Sequence, residues 1–172
     1  SNVAVDKIDG HIIGLVAPHA GYVYSGQIAA YAYHTVRKKL YDTVFVISPS
    51  HRMAFPGVSV YLGGGYETPL GVVPVNRAMA GRLMNFSRMI DDIPSAHIQE
   101  HALEIQLPFL QVALGEFSFV PLVMGNQDSK TCEELANAIF QSAGDSNILI
   151  VGSYDLSHYH DYNQAVKKDS QF

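Results

Sequence analysis

Gly14-Leu15-Val16-Ala17-Pro18-His19, Val44-Phe45-Val46-Ile47-Ser48-Pro49-Ser50-His51 and Ile148-Leu149-Ile150-Val151-Gly152-Ser153-Tyr154-Asp155-Leu156-Ser157-His158 share one grammar. Each is a short apolar run, then a turn of small residues, then an imidazole. Continuous Val/Ile/Leu runs of this length read as strands buried on both faces, the condition of a parallel sheet. Strands of such a sheet all point one way, so the residues just past their carboxyl ends meet on one rim, where open α/β sheets bind ligands. Three imidazoles delivered to one rim make a metal site the first functional expectation.

Strand and helix signals alternate along the rest of the chain. The Ala- and Tyr-rich stretch 25–40 reads as a helix. Residues 56–75 hold Gly57, Gly63-Gly64-Gly65, Pro69, Gly71 and Pro74, too many breakers for a helix, and their valines favour short hairpin strands. Asn76 is placed to cap a helix through Leu83 and Met84. A second helix begins near Gln99 and carries Leu103, Leu107, Leu110 and Leu114, with a kink or break expected at Pro108. Residues 117–124 form another strand, Asp128 or Ser129 caps a helix over 132–142, and 147–152 is the last major strand. The expected fold is α/β: a mostly parallel central sheet with flanking helices and a short antiparallel insertion. One domain spans 1–172. The stretch 163–172 opens as a helix with nothing to close it. The natural protein is therefore expected to continue, and this chain to leave an apolar sheet face or edge open to a partner or to self-association.

Composition narrows the functions. Eleven Lys and Arg against sixteen Asp and Glu leave a net charge of −5, and no basic run exceeds Arg37-Lys38-Lys39. That argues against nucleic acid as a partner. No apolar run reaches the length of a membrane span. The single cysteine, Cys132, excludes an internal disulfide, fits a reducing compartment and so a cytoplasmic location, and sits among glutamates that disfavour a thiolate.

Four further residues belong with the strand-end histidines. Asp155, three before His158, suits a fourth ligand or an acceptor for a ligand imidazole. His101 and Glu104 share a helical face in Glu100-His101-Ala102-Leu103-Glu104, a pairing that suits proton transfer near neutral pH. Tyr22, in Ala20-Gly21-Tyr22-Val23-Tyr24, offers a donor to an oxyanion. His11, His34, His97 and His160 have no comparable setting and read as core or surface fillers.

Together, Ala17-Pro18-His19-Ala20-Gly21-Tyr22, Pro49-Ser50-His51, Glu100-His101-Ala102-Leu103-Glu104-Ile105-Gln106-Leu107-Pro108 and Ser153-Tyr154-Asp155-Leu156-Ser157-His158-Tyr159 resemble the Memo family, also called AmmeMemoRadiSam system protein B. The four blocks stand in the family's order across nearly the whole chain. The resemblance implies a fold similar to class III, LigB-type, extradiol dioxygenases, with His19, His51 and His158 facing a metal, Asp155 beside them and His101 as acid/base. Two departures stand out. Tyr154 occupies the place of a second serine, where a phenol would narrow the pocket or add a donor. Family members also run beyond the equivalent of Phe172, into a segment whose cysteine is linked to the metal site.

The leading reading is a metal-binding, non-haem-iron, dioxygenase-like protein performing O2-dependent oxidation of a small substrate. Fe(II) is favoured by an imidazole and carboxylate set with open positions, and three imidazoles accept Zn or Cu as well. The alternatives are metal-assisted hydrolysis and a non-catalytic protein holding a metal, a small molecule or a peptide in the same pocket.

Overall fold

The computed structural model describes residues 8–171. Strand β1 (Gly14–Ala17) leads through Pro18-His19 into helix α1 (Tyr22–Thr35), and β2 (Thr43–Pro49) follows. Next come β3 (Val58–Val60), the hairpin β4 (Gly65–Thr68) and β5 (Gly71–Pro74), helix α2 (Arg77–Met84) and β6 (Ile90–Asp92). Helices α3 (His101–Glu104) and α4 (Leu107–Leu114), strand β7 (Phe119–Met124), helix α5 (Ser129–Ala143), strand β8 (Ile148–Ser153) and helix α6 (Tyr162–Asp169) complete the order.

The central sheet has the order β1-β8-β2-β7-β3-β6, and β4-β5 form a separate two-stranded sheet. The ladders β1·β8, β8·β2 and β2·β7 are parallel, as the apolar runs require. Strand β3 departs from the expectation of a hairpin piece. It joins the central sheet antiparallel to β7 and parallel to β6. Three-residue strands such as β3 and β6 are too short for a period-2 pattern to declare itself. The antiparallel insertion proper is the β4-β5 hairpin.

Alternation along the strands sorts the core into two layers. Val44 and Val46 of β2 pack with Leu149 and Val151 of β8 against Ala29 and Tyr33 of α1 and Leu103, Leu107 and Leu110 of α3 and α4. Phe45 faces the other way, with Val120 and Leu122, against Leu83 of α2 and Leu135 and Ile139 of α5. The α2 and α5 layer packs on β2, β3, β6 and β7 and reaches Ile148 and Ile150 of β8, while Val16 on edge strand β1 is 65% exposed and no described residue of α6 is buried. No helix among the described residues is long and apolar enough to cross a membrane.

Local signals account for the helix ends. The Asn76 side chain accepts the Met79 N–H, and Asp128 accepts that of Thr131. The break expected in the helix from Gln99 divides it into α3 and α4. Pro108 lies in the first turn of α4, where its missing N–H costs no helical hydrogen bond, so the chain breaks at Ile105-Gln106 ahead of it.

His97 is a core residue, 7% exposed, with Nε2 2.9 Å from Ser59 Oγ and Nδ1 2.7 Å from Tyr66 Oη. Burial pushes its pKa down to about 4 from an ordinary 6.5, against the Ser59 bond and the Glu100 charge, which pull upward. The unfolded chain takes up this proton near pH 6.5 and the folded chain only near 4, so stability is complete above 6.5 and falls as pH drops. Between pH 7 and 5 the contribution lost is about 2 kcal/mol. Urea unfolding at the two pH values checks it: the His97→Asn variant should lose about 2 kcal/mol less than the parent over that interval.

Candidate functional site

The sheet order brings the three strand-end histidines to neighbouring positions, since β1, β8 and β2 are adjacent. Their ends are level: Ala17 pairs with Ser153, and Gly152 with Ile47. Adjacent strands lie about 4.8 Å apart, so side chains from three such ends reach a common volume. A cavity of about 280 Å³ at this rim is lined by His19, His51, His101, Asp155, His158 and Glu100, together with Arg52 and Tyr159. The imidazoles of His19 and His51 meet edge to face with centroids 5.2 Å apart.

Asp155 organises the β1 side of the rim. Its Oδ1 accepts the backbone N–H groups of His19 at 2.8 Å and Ala20 at 3.2 Å. Its Oδ2 is buried and accepts no well-formed hydrogen bond among the described residues. Yet His158 Nε2 lies 3.0 Å away in a direction that does not make a hydrogen bond, and His19 Nε2 lies 3.6 Å away, beyond hydrogen-bond reach.

The tautomer of His19 follows from its other nitrogen. Ser153 Oγ donates to the Ala102 carbonyl, which can only accept, and receives the Gln106 Nε2–H at 2.7 Å. The remaining neighbour of Ser153 Oγ is His19 Nδ1 at 3.1 Å, which must therefore be the donor. Nε2 is left as a lone pair facing a carboxylate oxygen. Burial holds the His19 imidazole below its ordinary pKa, with Asp155 opposing and His51 adding to the shift, so protonation is not the natural remedy for this clash. A cation is. The donor set thus fits a metal ion, and nitrogen and oxygen donors of this kind suit Fe, Zn or Cu.

His51 is fixed in the same way by a residue that sequence reasoning missed. Glu100, 3% exposed, accepts the His51 backbone N–H at 2.6 Å, His51 Nδ1–H at 3.0 Å and the Ala102 N–H at 2.9 Å. Burial alone would raise its pKa, but the bonds from His51 and Ala102 outweigh it and hold the carboxyl below its ordinary value. An ionised Glu100 only accepts, so His51 also carries its proton on Nδ1 and offers Nε2 to the cavity. Two further unforeseen residues stand behind the rim. Gln106, fully buried, accepts from Tyr33 Oη at 2.6 Å and donates to Ser153 and to the Pro18 carbonyl. Gln106 stands within the motif block 100–108, but no role could be read for it there.

The remaining sequence candidates fall around these. His101 lines the cavity, is exposed, and sets Nδ1 2.6 Å from Glu104 Oε1. Tyr22 does not line it. It borders an adjoining cavity of about 450 Å³ that shares His19 and His101 and adds Glu67, Thr68 and Glu104, and its hydroxyl donates to the Ile105 carbonyl at 3.2 Å. Burial raises the Tyr22 pKa. Tyr154 is 46% exposed and lies outside the lining, so it neither narrows this cavity nor adds a donor to it. Among the described residues no three His, Cys, Asp or Glu side chains already stand at the spacing of a closed ligand shell.

Comparison with known proteins agrees with the motifs. The family model described as Memo-like protein matches residues 4–172. A MEMO1 family protein of Thermotoga petrophila is 42% identical over 160 residues, 92% of this chain and 58% of the relative. Another, from Thermoplasma acidophilum, is 37% identical over 163 residues, 94% of this chain and 60% of the relative. A third, from Methanopyrus kandleri, is 39% identical over 160 residues, 91% and 56% of the two chains. The chain thus spans a little under two thirds of the length of these relatives. With the four motif blocks gathered on one rim of an α/β sheet and a family match along almost its entire length, this chain belongs to the Memo family.

Proposed function

We propose that the rim binds a divalent or redox metal, Fe(II) in the first place, through His19, His51 and His158 with Asp155, and that the chain is a non-haem-iron, dioxygenase-like protein acting on a small molecule. The observation that carries this reading is the buried Asp155 Oδ2, unsatisfied by hydrogen bonds and faced by two imidazole nitrogens. The His158 side chain is about half exposed and so is free to turn further inward as a ligand shell closes, while His19 and Asp155 are buried and already set and His51 is held by Glu100.

When bound, Fe(II) held by imidazoles and a carboxylate with open positions supplies O2 activation. Everything else is work for this chain's residues. Glu100 and Ser153 hold the Nδ1–H groups of His51 and His19, which keeps both Nε2 lone pairs directed at the cavity. Glu104 accepts the Nδ1–H of His101, leaving His101 Nε2 to take a proton from a bound hydroxyl. The adjoining cavity beside Tyr22, Glu67 and Thr68 gives room for the body of a substrate whose oxygen atoms reach the rim.

Anaerobic titration of the Fe(II)-loaded chain with catechols, followed by O2, tests the reaction. A ligand-to-metal absorption band and oxygen uptake are expected. Metal binding with neither signal would discard the oxygenase chemistry and leave a metal-holding or hydrolytic protein.

A further inference from the structure

A third cavity, away from His19, His51, His101 and His158, runs along α1. It has a volume of about 460 Å³ and is lined on one side by Tyr22, Gly26, Ala30, His34 and Arg37, on the other by residues of α4 including Phe109 and Val112. The α1 residues recur at steps of three or four, so they form one face of that helix and its continuation. From Tyr22 to Arg37 that face is about 22 Å long at 1.5 Å per residue.

The reason for a groove here lies in the small residues. At Gly26 an added Cβ would rest 3.7 Å from Phe109 Cζ, so α1 and α4 come together over the Phe109 ring and part beyond it. Phe109 is stacked on Tyr33, with centroids 5.2 Å apart and planes at 5°, and Tyr22 meets it edge-on at 5.6 Å. The walls are therefore aromatic and aliphatic along the length. The far end is different: Arg37 is exposed, its side chain has no partner among the described residues, and it opens the one Arg37-Lys38-Lys39 run of a chain whose net charge is −5. A cation at a helix C-terminus answers the helix dipole, but that leaves the apolar groove ahead of it unexplained.

We propose that this groove is a binding site for a long-chain carboxylate, with the hydrocarbon body along Gly26, Ala30 and Phe109 and the carboxylate at Arg37. Its volume lies within the roughly 300–1,000 Å³ of small-molecule sites, and a mostly apolar lining with one charge to fix orientation is their usual make-up. The proposal does not depend on a metal at the histidine rim.

The test is calorimetric titration of the full chain with dodecanoate and, separately, dodecanol, both below the concentration at which they self-associate. Dodecanoate should bind, and dodecanol about tenfold more weakly. Arg37→Ala should weaken dodecanoate about tenfold and leave dodecanol unchanged. Ala30→Phe, which fills the groove, should abolish binding of both, with Gly26→Leu as a second filler should the first fail to fold. Absence of dodecanoate binding, equal binding of acid and alcohol, or unchanged binding in a folded filled variant would each overturn the site.

Discussion

His101→Ala should leave the metal content of the protein unchanged while turnover falls about 10²- to 10⁴-fold, the usual contribution of a positioned acid or base. His101 lines the rim cavity but, unlike His19 and His158, makes no approach to Asp155 Oδ2; its nitrogen is committed to Glu104 instead. Glu104→Gln should give a smaller loss, because the amide oxygen still accepts the His101 Nδ1–H and holds the ring in place. Single-turnover rates under O2, paired with elemental analysis of the same samples, check both. Loss of metal in His101→Ala would make it a ligand and end the acid/base assignment.

Glu100→Gln should weaken metal binding about 10- to 100-fold, the range seen when the hydrogen-bond partner of a ligand imidazole is removed. The carboxylate accepts three hydrogen bonds at once from His51 and Ala102, and an amide in its place offers one acceptor oxygen and two donors. One of those donors would have to face the His51 backbone N–H or ring N–H. His51 would then be released from its tautomer, and its Nε2 no longer reserved for the cavity. Competition titrations against a chelator of known affinity read the change, with Glu100→Asp as a partial rescue. Equal affinity in Glu100→Gln and the parent would remove Glu100 from the site.

The contrast between Asp155 and Glu100 shows what the sequence could and could not disclose. Asp155 stands three residues from His158, and both lie just past an apolar strand, so their meeting is a local matter that can be read along the chain. Glu100 serves a histidine 49 residues away, and nothing near it in the chain indicates the partner. Its neighbours Glu104 and His101 drew the chemical reading to themselves because an i, i+3 pair is visible on paper. Gln106 and Tyr33 were invisible for the same reason: their bond spans 73 residues inside the core. In the fold, the parallel β1-β8-β2-β7 set could be read from continuous apolar runs, whereas β3 and β6, three residues each, carried too little pattern to be placed.

The most direct test of a metal at this rim is the stoichiometry of Fe(II) bound by the anaerobically reconstituted chain, measured for the parent and for His19→Ala, His51→Ala and His158→Ala, each verified as folded by circular dichroism. One equivalent is expected in the parent and its loss in all three variants, most completely in His19→Ala, whose imidazole is the buried one already set against Asp155. A parent that binds no metal, or three folded variants that bind as much as the parent, would contradict a metal centre built on these histidines.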